Sequence, residues 1–209
     1  CLTTFKNLLI ERANQPPKGD LVSMLAHSPM VNMDDQQLLS TLILLIIGGN
    51  DTTRNSISGG LLALMKNPNE LAKLRADPSL VKSLVPEIIR WQTPLTHMRR
   101  TTTREVQVRG VTIPAGEKVV MWYLSGNRDE QVIENADRFV VDRKNPRHHL
   151  SFGFGIHRCV GNRLAEMQIR ILWEEILSQN LTFELMREPE RTYSHVVHGF
   201  ATMPVKLGR

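Results

Sequence analysis

From Asn32 the chain carries a helical pattern that holds to about Met65, just short of Pro68, and this long element constrains the fold most. Asn32-Met33-Asp34-Asp35 reads as its start. Asn32 can accept from free backbone N–H groups, and two acids stand in the first turn, where the helix dipole favours them. The apolar run Leu38-Leu39 and Leu42-Ile43-Leu44-Leu45-Ile46-Ile47 follows. Roughly 30 helical residues make a rod ~45 Å long at 1.5 Å per residue. Its first half is apolar nearly all round, so it is expected to be buried in something larger than the rest of this chain readily supplies. Gly48-Gly49-Asn50-Asp51-Thr52-Thr53, poor helix formers, stand in its middle. Such a conflict between local propensity and overall pattern marks function.

Hydrophobic residues make up 41% of the 209 and charged residues 22%, which permits a sizeable core and argues against wholesale disorder. Two cysteines, Cys1 and Cys159, allow one bridge at most. That excludes a disulfide scaffold and every four-cysteine metal site. The longest apolar run, Leu42–Gly49, is far short of the ~20 residues of a membrane span. No secretory signal opens the chain, so the expected compartment is a reducing cytoplasm. The chain starts at Cys1, without an initiator Met, and runs straight into a helical pattern. It is therefore read as a single partial domain over 1–209, entered mid-fold.

Asn69–Ala76 and Ser79–Trp91 read as helices. Pro86 is expected to bend the second or mark its start, and Gln92-Thr93-Pro94 to end it. Glu105–Val108, Val111–Ile113 and Lys118–Trp122 read as strands, with turns at Arg109-Gly110 and Pro114–Glu117. Ser125–His157 shows little periodicity, and so long an irregular stretch is usually functional or wrapped over something. Cys159–Ser178 reads as an amphipathic helix, and Leu181–Leu185 and Thr202–Leu207 as closing strands. The pattern is mainly α with small β-sheets, an α+β fold.

The sharpest chemical signal is Phe152-Gly153-Phe154-Gly155-Ile156-His157-Arg158-Cys159-Val160-Gly161. Glycines let the backbone turn tightly, and Gly161 allows close approach of whatever Cys159 faces. Free N–H groups at a helix start near Val160, with His157 and Arg158 beside it, favour a thiolate at Cys159. Zinc is disfavoured, because His157 and Cys159 stand too close to share one metal and no second Cys/His pair has the right spacing. A thiolate on a flat, glycine-flanked loop suits the axial position of a haem.

This segment resembles the haem-binding loop of the cytochrome P-450 superfamily, Phe-x-x-Gly-x-x-x-Cys-x-Gly, matched by Phe152, Gly155, Cys159 and Gly161. Glu87-Ile88-Ile89-Arg90 matches the family's Glu-x-x-Arg, and Gly48–Thr53 matches its oxygen-activating stretch. The resemblance covers nearly the whole chain and implies the C-terminal half of the cytochrome P-450 fold. It implies haem b (iron protoporphyrin IX) with Cys159 as the metal's axial ligand and Phe152, Gly153 and Gly161 shaping its seat. Arg100, with Arg99 as rival, and His157 would hold the propionates. Asp51 and Thr52 would deliver protons during dioxygen activation. Glu87 and Arg90, one helical turn apart, would form a buried network with a third arginine, for which Arg138 is the candidate. Substrate-facing positions would be Leu44, Leu45 and Gly48, then Leu95 and Met98, then Val197 and Phe200.

The wording of these loops, with His97-Met98-Arg99-Arg100-Thr101, is most similar to the soluble bacterial P-450 enzymes that hydroxylate alkanes or fatty chains at the terminal carbon. That similarity implies dioxygen, an apolar aliphatic substrate, and electrons from an iron–sulfur ferredoxin and its NAD(P)H-dependent flavoprotein reductase. The net charge of +5, with Arg147, His148, His149, Arg158 and Arg163 near the thiolate loop, fits an acidic ferredoxin. Nucleic acid is disfavoured, since basic and aromatic residues are not interleaved. A peroxide-driven or differently specific hydroxylase and a non-catalytic haem-binding or sensing protein remain the alternatives. The family's roofing N-terminal half has no counterpart here. The isolated chain is therefore expected to bind haem poorly and turn over nothing.

Overall fold

The computed structural model describes residues 2–28 and 34–209. The chain divides into two compact units, 1–48 and 49–209. In the first, α1 (Leu2–Ala13) is followed by α2 (Leu21–Ala26), and the Asp20 carboxylate caps α2 by accepting from the Ser23 N–H at 2.8 Å. The long helix α3 spans Asp35–Lys66. The capping role expected of Asn32 lies outside the described residues. Asp34 accepts from the Gln37 N–H at 2.8 Å, which satisfies one of the free donors of the first turn. Leu42 is buried, while Ile43, Leu44, Ile46 and Ile47 are exposed.

The second unit is built on the remainder of α3 and on α5 (Val81–Gln92) and α7 (Asn162–Ser178). Its core joins Ala63 and Leu64 to Leu84, Val85, Ile88 and Ile89, with Phe139, Val141, Ile169 and Trp173. A Cβ on Gly60 would stand 2.6 Å from the Ile88 side chain, and one on Gly59 only 2.0 Å from the Gln92 amide. Two adjacent glycines thus let α3 and α5 approach closely. Between these helices lies α4 (Pro68–Ala76), which Pro68 starts at its first residue, followed by a 3-10 turn over Pro78–Leu80.

Helix α5 runs through Pro86, which neither starts nor ends it. It stops at Thr93, whose φ of 43° is left-handed. The strain is offset by hydrogen bonds: Thr93 donates from Oγ1 to the Arg90 carbonyl at 2.6 Å and accepts from Asn127 at 2.8 Å. Four two-stranded antiparallel sheets follow. Strand β1 (His97–Thr101) pairs with β4 (Lys118–Trp122), and β2 (Val106–Val108) with β3 (Val111–Ile113). Arg109 and Gly110 both have positive φ, as a two-residue hairpin turn between right-twisted strands requires. The short helix α6 (Tyr123–Gly126) opens the irregular stretch. At the C-terminus β5 (Thr182–Leu185) pairs with β8 (Val205–Gly208), and β6 (Glu190–Arg191) with β7 (Phe200–Thr202). Among the described residues no helix is long and apolar enough to cross a membrane.

Candidate active site

Glu87 and Arg90 are fully buried one turn apart on α5. Arg90 donates through Nε and Nη2 to the two carboxylate oxygens of Glu87, each at 2.8 Å. The third arginine is Arg143 and not Arg138. Arg143 Nε donates to Glu87 Oε2 at 2.8 Å, and its guanidinium also reaches the carbonyls of Glu134, Asn135 and Arg138. Arg138 enters through its main-chain carbonyl, which accepts from Arg90 at 2.8 Å, and its side chain is exposed. The physical reason is the path of the stretch. Asn135 turns the chain with a φ of 50°, and the carbonyls that follow face inward toward the two guanidinium groups.

Arg90 also accepts the task of orienting Asn127, donating to its carbonyl at 2.7 Å and to that of Ala136 at 2.8 Å. The buried Asn127 side chain donates to Ser151 Oγ and accepts from the Leu150 N–H. Ser151 Oγ donates to the Ile89 carbonyl at 2.8 Å. A continuous polar path thus leads from the buried ion pair to Phe152, the first residue of the glycine-rich loop. Arg128 extends the network, stacking 4.0 Å over the Trp91 ring and donating to the Trp91 carbonyl. Burial, with the nearby Arg90 charge, pulls its guanidinium down to about 10.

The loop is held by its own backbone. The Cys159 N–H donates to the Phe152 carbonyl at 2.8 Å, and Gly153 and Gly155 take φ values of 68° and 69° that other residues rarely adopt. Residues Gly155–His157 form a 3-10 turn. Helix α7 begins at Asn162, not at Cys159, because Gly161 occupies the capping position. Cys159 therefore precedes the first helical residue by a short turn, which the Asn162 side chain closes by donating to the Cys159 carbonyl at 2.6 Å. The thiol is exposed. A Cβ on Gly161 would stand 4.0 Å from its Sγ.

These residues fit a haem. The thiol lies open rather than among hydrocarbon, on a loop whose glycines project nothing beside it. Among the described residues no group of three or more His, Cys, Asp and Glu side chains could hold a bare metal ion. A single soft sulfur suits a metal whose other positions a macrocycle fills.

Asp51 and Thr52 lie on α3. Asp51 accepts from Arg54 at 2.6 Å and from Asn55 at 3.2 Å, and Ser56 Oγ donates to the Thr52 carbonyl at 2.9 Å. Arg100 is half-buried on β1 opposite Val119, whereas Arg99 is exposed. His157 is exposed on the 3-10 turn. Leu95 and Val197 meet in an antiparallel bridge, so two of the expected substrate-facing segments do come together. Met98 is exposed on β1. Leu44 and Gly48 are exposed and Leu45 half-buried in the first unit. Phe200 departs from expectation: it is buried, with Arg191 4.4 Å over its ring, and anchors the tail hairpin rather than facing open space.

The cationic cluster also needs one correction. His149 is tucked against Phe152, and burial pushes its imidazole down to about 4. It is neutral near pH 7 and adds no charge to the face. Arg147 and Arg163 are exposed and share Glu166, at 3.0 and 3.4 Å.

The cytochrome P450 family model matches residues 10–207. The chain belongs to the cytochrome P450 family. It is 40% identical over 211 residues to a putative cytochrome P450 126 of Mycobacterium tuberculosis, covering 99% of this chain and 51% of that protein. It is 39% identical over 191 residues to a methyl-branched lipid omega-hydroxylase of Mycobacterium bovis, covering 89% of this chain and 44% of that one. Among solved structures, cytochrome P450-153 from Novosphingobium aromaticivorans superposes with a TM-score of 0.94 at 49% identity, covering 99% of this chain and 52% of that chain. The chain spans about half the length of the curated P450 relatives it matches. Sequence reasoning missed Arg143, Asn55 and Asn127. For Asn55 the signal was present, since it stands four residues after Asp51 on the same helical face.

Proposed function

We propose that the protein is a haem-thiolate monooxygenase acting on terminal C–H bonds of alkanes or fatty chains. One atom of dioxygen enters the C–H bond to give an alcohol, and the other leaves as water, at the expense of two electrons and two protons. Bound haem b supplies dioxygen activation and the oxidation of the C–H bond. Cys159 Sγ would ligate its iron, and Arg100 and His157 would pair with its propionates. The Asp51 carboxylate and Thr52 hydroxyl carry protons inward along α3. Glu87, Arg90 and Arg143 hold the ribbon that positions the Cys159 loop. The apolar side chains of Leu95, Met98 and Val197 orient a hydrocarbon chain without polar recognition.

The observation that carries this reading is the exposed thiol of Cys159, on a glycine-flanked loop in which the Cys159 N–H donates to the Phe152 carbonyl. The terminal position is supported by likeness to a relative named as a methyl-branched lipid omega-hydroxylase. Electrons come from an acidic iron–sulfur ferredoxin and its NAD(P)H-dependent flavoprotein reductase. The exposed Arg147 and Arg163, and an open groove of about 530 Å³ lined by Lys82, Lys144, Arg147 and His148, offer the complementary charge. The test is product analysis with the full-length, haem-loaded protein, a ferredoxin and its reductase. Linear alkanes and fatty acids should yield primary alcohols or ω-hydroxy acids, and oxidation confined to internal carbons would overturn the terminal assignment.

A further inference from the structure

Asn55, on α3, is buried to 2% exposure against the tail hairpin. Its Nδ2 donates to Asp51 Oδ2 at 3.2 Å, and its Oδ1 accepts from the Phe200 N–H at 3.3 Å. The orientation of this amide is forced. A carboxylate only accepts and a backbone N–H only donates, so a flipped amide would lose both bonds at once. The hairpin reaches Asn55 because residue 199 is glycine. A Cβ there would stand 2.4–2.6 Å from the Asn55 amide atoms. Gln92 holds the same hairpin from α5, donating to the His198 carbonyl at 2.6 Å. The hairpin also carries Val197, which bridges Leu95.

We propose that Asn55 is a positioning residue that couples the Asp51 carboxylate to the substrate-facing tail hairpin. Displacement of the hairpin by an ill-fitting molecule frees the Asn55 amide to turn, and the carboxylate loses one of its two fixed partners. Proton supply is then linked to correct filling of the pocket. The inference rests on the proton-handling role given to Asp51, but the coupling itself can be measured without turnover.

The experiment uses the full-length protein. Asp51 is partly exposed, so Asp51→Ala should fold normally, which its melting curve checks. Hydrogen exchange of the peptide spanning 196–202 is followed by mass spectrometry. Loss of the carboxylate should speed exchange about 2- to 10-fold at this peptide, the range expected when one neutral hydrogen bond loses its support. Unchanged exchange overturns the coupling, whatever the enzyme oxidises. In the haem-loaded protein, Asn55→Ala should lower kcat and the yield of product per electron pair about 10-fold, with substrate Kd changed less than twofold. Asn55→Asp, which keeps the shape but sets two carboxylates together, should do the same. A purely structural Asn55 would instead weaken substrate binding and leave kcat and electron yield unchanged, which also overturns the proposal.

Discussion

Arg143 donates from Nε to Glu87 Oε2 at 2.8 Å, joining residues 56 apart in the chain. Its side chain is nearly as buried as that of Glu87 itself. Removing it strips one of two cations from a buried carboxylate and takes one donor from each of three carbonyls of the irregular stretch, those of Glu134, Asn135 and Arg138. Arg143→Ala should therefore cost about 3 kcal/mol of unfolding free energy. Arg138→Ala, at an exposed side chain whose carbonyl persists, should stay within about 0.5 kcal/mol. Urea unfolding of the two variants decides between these arginines, and equal losses would refute the assignment.

Two glycines on α3 should respond in opposite directions. A Cβ at Gly49 meets nothing within 4 Å, so Gly49→Ala should raise stability by roughly 0.5–1 kcal/mol through helix propensity. At Gly60 the new methyl would meet Ile88 at 2.6 Å. Gly60→Ala should lose about 1–3 kcal/mol despite the better propensity. Thermal melts of the pair would show it as shifts of opposite sign.

Cys159 is exposed, so Cys159→Ser should leave the melting temperature of the metal-free protein within a degree or two. In the full-length protein loaded with haem, the same change should abolish the ferrous–carbonyl Soret band typical of thiolate ligation. Persistence of that band would place the ligand elsewhere.

His149 sets a pH dependence. Its imidazole ordinarily titrates at 6.5 and is held near 4 in the fold, chiefly by burial. Below 6.5 the unfolded chain binds a proton that the folded chain refuses, so stability is full above 6.5 and falls as pH drops toward 4. The loss should be on the order of 2 kcal/mol for this partly exposed ring. His198, lowered mainly by burial, acts in the same direction. His149→Gln should flatten the slope of stability between pH 6.5 and 4, and an unchanged slope would show that the ring protonates in the fold.

Much of this architecture was legible before any coordinates. The Glu87–Arg90 pairing follows from helical spacing, and the end of α5 at Thr93 from the proline after it. The two-residue turn at Arg109-Gly110 needed only a glycine between β patterns. What was not legible depends on chain path rather than on local pattern. Arg138 and Arg143 look alike as letters in an aperiodic stretch, and only the turn at Asn135 decides which guanidinium folds inward. The strand His97–Thr101 exists because Lys118–Trp122 pairs with it. The late start of α7 follows from the 3-10 turn and Gly161, which the amphipathic pattern downstream does not encode.

The ribbon from Asn127 to Val141 is gripped by its peptide groups. Arg90 and Arg143 take the carbonyls of Asn127, Glu134, Asn135, Ala136 and Arg138, while Glu87 and Glu70 take the N–H groups of Val140 and Val141. A segment fastened in this manner tolerates new letters at its outward positions but not a change in their number. Swapping exposed side chains along it leaves each carbonyl where it was, whereas inserting or deleting a single residue would slide the whole row out of reach of both arginines.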